Sequence, residues 1–263
     1  MAVSVLNSQL IKTLESFFVR SDRASTAWGN TVSAFLSLSA LRGLWTLGSV
    51  DESGNAYDLS GQGRTLSYFG NPLYDYYGLA PFIELDGAGD YLARGDEAGL
   101  DIIGTESYIA NPGLSLGGWF YFDSIANREG LITKAGATAA LTAYSLEHRG
   151  DLAGSPVRFT AISGATGYNA TSSAATSIDT WYFTVGRFVP GVSVDVYLNG
   201  AKDSLVAGVP ASLNNVAAQF QIGARGATGL LDGRASLCFL CASALSDGVI
   251  RALYHTSRAL FST

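Results

Sequence analysis

Charge is what this chain has least of: Asp, Glu, Lys and Arg make up 14% of 263 residues, against about a quarter in soluble domains. Lysine stands only at Lys12, Lys134 and Lys202, so arginine supplies most of the positive charge. Lysine depletion beside retained arginine is the composition that protein interfaces favour. The net charge is −6, and no run of Lys or Arg offsets it. A nucleic-acid partner is therefore not expected, because neutralising phosphates takes a basic face. No apolar run reaches the ~20 residues of a membrane helix. Lys12, Glu15 and Arg20 interrupt the apolar positions where a secretory leader would lie, so no signal peptide is expected.

Cysteine is almost absent too. Cys238 and Cys241 are three residues apart in Leu237-Cys238-Phe239-Leu240-Cys241. On a strand they would point to opposite faces with Cα atoms about 10 Å apart, out of reach of a disulfide. Free thiols are expected. Proline is scarce, whereas glycine reaches 31 residues and aromatics 11%. Many short strands joined by glycine turns fit that composition better than disorder does. A chain of this length is long enough for one large all-β core.

The strongest local signal runs from Trp181 to Gly200. Val192, Val194, Val196 and Leu198 recur with period two, and Asn199-Gly200 supplies the positive-φ pair of a tight hairpin. A preceding alternating segment meets this one at Val189-Pro190-Gly191. The Trp-strand, crossing and Asn-Gly hairpin resemble the laminin-G-like domains of the concanavalin A-like jelly-roll fold. Other segments resemble that family in its usual order. They are Gly43-Leu44-Trp45, the Asp58-Leu59-Ser60-Gly61-Gln62-Gly63 loop, Ile83-Glu84-Leu85-Asp86-Gly87 with Asp90-Tyr91-Leu92, Leu116 to Phe122, Gln221-Ile222-Gly223, and Ala244-Leu245-Ser246 to Leu253-Tyr254. The resemblance implies an all-β, two-sheet antiparallel jelly-roll sandwich over residues 41–263, used for recognition and assembly more than for chemistry. Where the family commonly carries an acidic pair before its closing helix, this chain has Ser236 and Leu237. A structural calcium is accordingly not favoured, and Phe239 makes the strand apolar enough to be covered.

Residues 1–40 form an N-terminal helical extension in this reading. Leu6, Leu10, Leu14 and Phe17 fall at helical spacing, Ser21-Asp22-Arg23 ends the pattern, and a short apolar run of Val32, Phe35, Leu36 and Leu38 follows. Such a stripe must bury itself, either on the chain's own sheet or as an assembly arm on a partner.

Candidate chemistry is sparse. Glu84-Leu85-Asp86 has the alternate-carboxylate spacing of retaining glycosidases. The third acid of the usual pattern is missing, Ala88 standing in its place, and Asp86 also fits a turn cap with Glu84 facing solvent. Asp51, Asp58, Asp86 and Asp90 lie in glycine-rich loops, and Asp58 is the best single metal candidate, set against an Asx-turn. His148 and His255 stand near element ends with no Ser or Cys nucleophile motif beside them. Tyr74, Tyr76 and Tyr77, in a loop-like segment after Asn71-Pro72, are candidate sugar-stacking residues, set against core or interface packing.

The expectation is a non-enzymatic structural and recognition module with no catalytic residue and no cofactor. Its first-choice setting is a repeated homo-oligomeric subunit of a virion, such as a phage decoration, tail or fibre protein, or of another surface assembly. That setting would give it other assembly proteins and copies of itself as partners. The alternative is a carbohydrate-binding adhesin contacting surface glycans, and a glycoside hydrolase comes last.

Overall fold

The computed structural model describes residues 22–48, 54–106, 109–226 and 228–261. Helix α1 (Asp22–Leu36) opens the described chain. Strands follow as β1 (Leu41–Trp45), β2 (Ser67–Phe69), β3 (Leu73–Tyr77), β4 (Ala80–Asp86), β5 (Tyr91–Arg94), β6 (Pro112–Phe122), β7 (Arg128–Ala135) and β8 (Thr142–Arg149). Then come β9 (Val157–Ser163), β10 (Thr166–Thr171), β11 (Trp181–Val189), β12 (Ser193–Leu198), β13 (Ala201–Ala207), β14 (Phe220–Ile222) and β15 (Asp232–Ser243). Helix α2 (Asp247–Ser257) closes the fold.

Two antiparallel sheets stack as a sandwich. The first runs β13-β12-β11-β6-β15-β4-β3 with β1 also on β15, and the second runs β10-β9-β8-β7-β14-β5-β2. The β12–β13 hairpin turns at Asn199 (φ 50°) and Gly200 (φ 78°), the two positive angles that an Asn-Gly pair tolerates. Val194, Val196 and Leu198 point into the core between the sheets. Val192, just before β12, is 59% exposed.

Several strands of the first sheet are apolar on both faces because that sheet has a second cover. On β15, Cys238, Leu240 and Ala242 face the inter-sheet core, whereas Leu237, Phe239 and Cys241 face a separate layer. Trp28, Val32 and Phe35 of α1, with Ile250 and Leu253 of α2, make up the other side of that layer. Both cysteines are free and buried, and burial pushes both thiols up.

The N-terminal reading needs one correction. A helix starts at Asp22, inside the Ser21-Asp22-Arg23 stretch where a helical pattern was expected to stop. The run Val32 to Leu38 is the apolar face and exit of α1, with Phe35 fully buried and Leu36 exposed. Trp28, Val32 and Phe35 are four and then three residues apart, which aligns them on one face. Leu6, Leu10, Leu14 and Phe17 lie outside the described residues, as does Asp51.

Helix α2 is fastened by polar groups. Ser246 caps it by accepting from Val249 N at 3.3 Å. Asp247 accepts from Tyr197 Oη at 2.7 Å and Arg187 at 2.8 Å, with Lys202 Nζ at 3.3 Å. Partial burial pushes the Asp247 carboxyl up, but these three donors outweigh it and hold the group at about 2. Arg187 also pairs with the fully buried Asp195, its Nε donating at 2.7 Å.

Candidate functional site

Tyr74, Tyr76 and Tyr77 lie on β3, an edge strand, not in a loop. The difference matters because successive strand residues point to opposite faces. Tyr77 pairs with Ala80 and Tyr74 with Ile83, and those partners belong to different apolar layers. Tyr77 therefore joins the helix-covered face, while Tyr74 and Tyr76 share the other side, where Tyr74 meets Tyr68 edge-on at 5.3 Å. The three tyrosines do not form one platform.

On its own side Tyr77 enters a hollow of about 400 Å³ lined also by Trp119, Asp179, Thr180, Trp181, Asn199, Tyr254, Arg258 and Phe261. Its floor is Trp181, 7% exposed, with ring centres 6.0 Å from Tyr77, 5.5 Å from Tyr121 and 5.0 Å from Phe261. Indole N–H groups elsewhere are used: Trp45 donates to Arg64 O at 2.8 Å and Trp119 to Ser257 Oγ at 2.9 Å. Trp181 Nε1 is buried and has no acceptor. A buried donor left unpaired costs about 1–3 kcal/mol.

The rim is polar and set by turn geometry. Asp179 has φ 58° and its Oδ1 accepts from Tyr121 Oη at 3.0 Å. Burial first, and then Asp179, pushes the Tyr121 hydroxyl up. Asn199 Oδ1 accepts from Phe183 N at 3.0 Å, and the Arg258 guanidinium stands 5.9 Å from the Tyr254 ring centre.

Asp58 is 2% exposed. One of its carboxylate oxygens accepts from Leu44 N and Ser60 N at 3.0 and 2.9 Å, and the other from Ser60 Oγ and Arg64 N at 2.8 and 2.9 Å. That is an Asx-type turn extended to fasten β1. Among the described residues, no cluster of three His, Cys, Asp or Glu has metal-binding geometry.

Glu84 and Asp86 border a second hollow of about 350 Å³ with Asp90, Asp123 and Asp232. Asp86 accepts from Ala88 N at 2.8 Å, closing a turn, and Asp90 accepts from Asn71 N at 2.7 Å, tying the segment before β5 to the one before β3. Arg234 lies 4.0 Å from Glu84 and 3.6 Å from Asp123. The Asp123 carboxyl is pushed up by burial, with Arg234 opposing and Glu84, Asp232 and Asp179 adding to the rise.

His148 is the penultimate residue of β8, near an element end as the sequence suggests. It is fully buried, stacked on Phe122 at 4.2 Å, with Nε2 3.0 Å from Thr176 Oγ1 and Nδ1 3.4 Å from Glu129 Oε2. Its ring packs into the sandwich. His255 sits in the last turn of α2, exposed. The hollow beside Trp181 was not foreseeable from spacing, since its lining comes from five separate segments. The one usable signal was a tryptophan opening the β11 strand.

A family model described as concanavalin A-like lectin/glucanases superfamily matches residues 87–235, more than half of the chain. No curated protein matches it. Among solved structures, the receptor-binding domain of a botulinum neurotoxin C/D mosaic serotype superposes with a TM-score of 0.62 at 12% identity, covering 82% of this chain and 51% of that one. The binding domain of Paraclostridial Mosquitocidal Protein 1 gives 0.63 at 12% identity, covering 82% and 52%. Domain 4 of an extracellular arabinanase from Geobacillus stearothermophilus, in complex with arabinotriose, gives 0.61 at 13% identity, covering 82% and 98%. The chain thus spans about half of the toxin binding domains and nearly all of the arabinanase domain.

Proposed function

This chain belongs to the concanavalin A-like lectin/glucanases superfamily, and we propose that it is a non-catalytic module that binds a neutral saccharide in the hollow beside Trp181. The observation that carries this is the hollow walled by Tyr77, Trp181, Tyr254 and Phe261, with Asp179, Asn199 and Arg258 also lining it. Aromatic faces stack on the C–H faces of sugar rings, and polar side chains beside them orient ring hydroxyls. The volume lies within the ~300–1,000 Å³ typical of small-ligand sites. The arabinanase domain solved with arabinotriose supports the same ligand class.

The test is affinity electrophoresis against neutral polysaccharides, arabinan included. Trp181→Phe keeps an aromatic ring but shrinks the stacking surface, and we expect about tenfold weaker retention from it, with a thermal melt to separate a lost site from a lost fold. Tyr77→Ala should weaken retention similarly by removing a wall. Absence of retention on every neutral polysaccharide, or unchanged retention in both variants, overturns the reading.

Catalysis is not part of this function. In the Glu84 hollow, Glu84 shares Arg234 with Asp123, Asp86 closes a turn and Asp90 holds the Asn71 amide, so these carboxylates have structural partners. Sugar release that disappears in Glu84→Ala would contradict this.

A second reading, a repeated subunit of a virion or other surface assembly, has its own support. Val192 and Leu205 are 59% and 53% exposed beside a hollow of about 690 Å³ next to the β13 edge. Exposed apolar groups at a sheet edge favour association between copies. A native mass that stays monomeric at high concentration rules that reading out.

A further inference from the structure

The second sheet gathers arginines that are far apart in the chain. Glu147 and Arg149 are two residues apart on β8, so they share a face. Arg158 of β9 stands opposite Glu147, and Arg128 of β7 opposite Arg149. Arg225, beyond β14, reaches the same place. Arg128 donates from Nε and Nη2 to Glu147 at 2.7 and 2.9 Å, and Arg225 Nε lies 2.8 Å from the same carboxylate. Arg149 is held by Asp151 through bonds of 2.6 and 2.7 Å. Arg158 donates from Nε to Thr171 Oγ1 at 2.9 Å, and among the described residues no carboxylate lies within ion-pair distance of it.

Four guanidinium groups thus face two carboxylates, and two positive charges are left over in a chain whose net charge is −6. The surplus falls in one place: Glu147 is shared between two arginines, and Arg158 has no ion pair of its own among the described residues. Burial disfavours the charged form of Arg158, Arg149 and Arg128 add to that effect, and Glu147 and Asp151 oppose it without reversing it. A half-buried arginine with like charges around it is stabilised by an incoming oxyanion. Its planar fork suits a sulfate or carboxylate, because two parallel N–H groups match two oxygens.

We propose that Arg158, with Arg128 and Arg225 beside it, forms an anion subsite on the second sheet that binds the sulfate or carboxylate groups of an acidic polysaccharide. The protein's overall negative charge opposes a long, uniformly charged polymer such as DNA, while a local surplus of two charges suits oxyanions spaced along a sugar chain. The site lies on the other sheet from the Trp181 hollow and does not depend on it.

The experiment is affinity electrophoresis of the full chain against sulfated dextran, unmodified dextran and double-stranded DNA at low salt. Arg158→Gln is the main variant, because no ion pair is broken by it. Wild-type protein should be retarded by sulfated dextran and not by unmodified dextran. Arg158→Gln should weaken that retardation about tenfold, and Arg158→Lys should restore part of it. No retardation of the wild type, equal retardation of Arg158→Gln, or DNA binding as tight as that of sulfated dextran overturns the proposal. Thermal melts of the variants separate a lost site from a lost fold.

Discussion

Asp195→Ala will lower the unfolding free energy by about 3–5 kcal/mol, the loss typical when one partner of a buried ion pair is removed. Asp195 is fully buried and the Arg187 side chain is 9% exposed. The substitution strands a guanidinium among Val189, Tyr197 and the start of α2, with Asp247 and Leu245 O as its remaining acceptors. Those bonds tie β11 to α2, so the cost should spread to the helix-covered layer. Urea denaturation followed by tryptophan fluorescence measures it. The double variant Arg187→Met, Asp195→Leu should recover much of the loss, since it removes both charges and leaves neither uncompensated. If Asp195→Ala costs less than about 1 kcal/mol, the pair is solvated and the account of this layer is wrong.

Phe35→Ala should be comparably damaging, at about 3–5 kcal/mol. The ring is fully buried and meets Phe239 at 5.5 Å and Phe183 at 6.4 Å, both at steep angles. Truncation opens a cavity between α1 and the first sheet that neither sheet can close without moving strands. The same urea titration should show a lower midpoint with an unchanged slope if α1 unfolds together with the sandwich. An effect below about 1 kcal/mol would mean that residues 22–36 are a separable arm. This bears directly on the proposed boundary at residue 41, because a domain cut there would leave Phe239 and Phe183 uncovered.

The sandwich was legible where its determinants are local. Asn199-Gly200 announces a hairpin because two adjacent residues must both take positive φ, and that requirement is written in two letters. The turn at Asp58 was an open alternative for the same reason, since its carboxylate satisfies the nearby Ser60 and Arg64 amides, whereas its bond to Leu44 N, fourteen residues back, was not readable. Helix α1 was less legible. Gly29, Thr31, Val32 and Ser33 lower helical propensity, and the stripe Trp28-Val32-Phe35 is stabilised by a sheet surface that sequence spacing does not reveal. Tyr74, Tyr76 and Tyr77 look like one aromatic patch until the strand's alternation separates them. The arginines at 128, 149, 158 and 225 form no run at all, and only cross-strand register brings them together.

Strand β15 carries a built-in pair of reporters. Cys238 looks into the space between the sheets and Cys241 into the space beneath the helices, so a thiol reagent is barred from each by a different barrier. Whichever sulfur is modified first as the molecule breathes identifies which of its two interiors opens first. An otherwise cysteine-free chain therefore reveals the sequence of its own loosening without any engineered label.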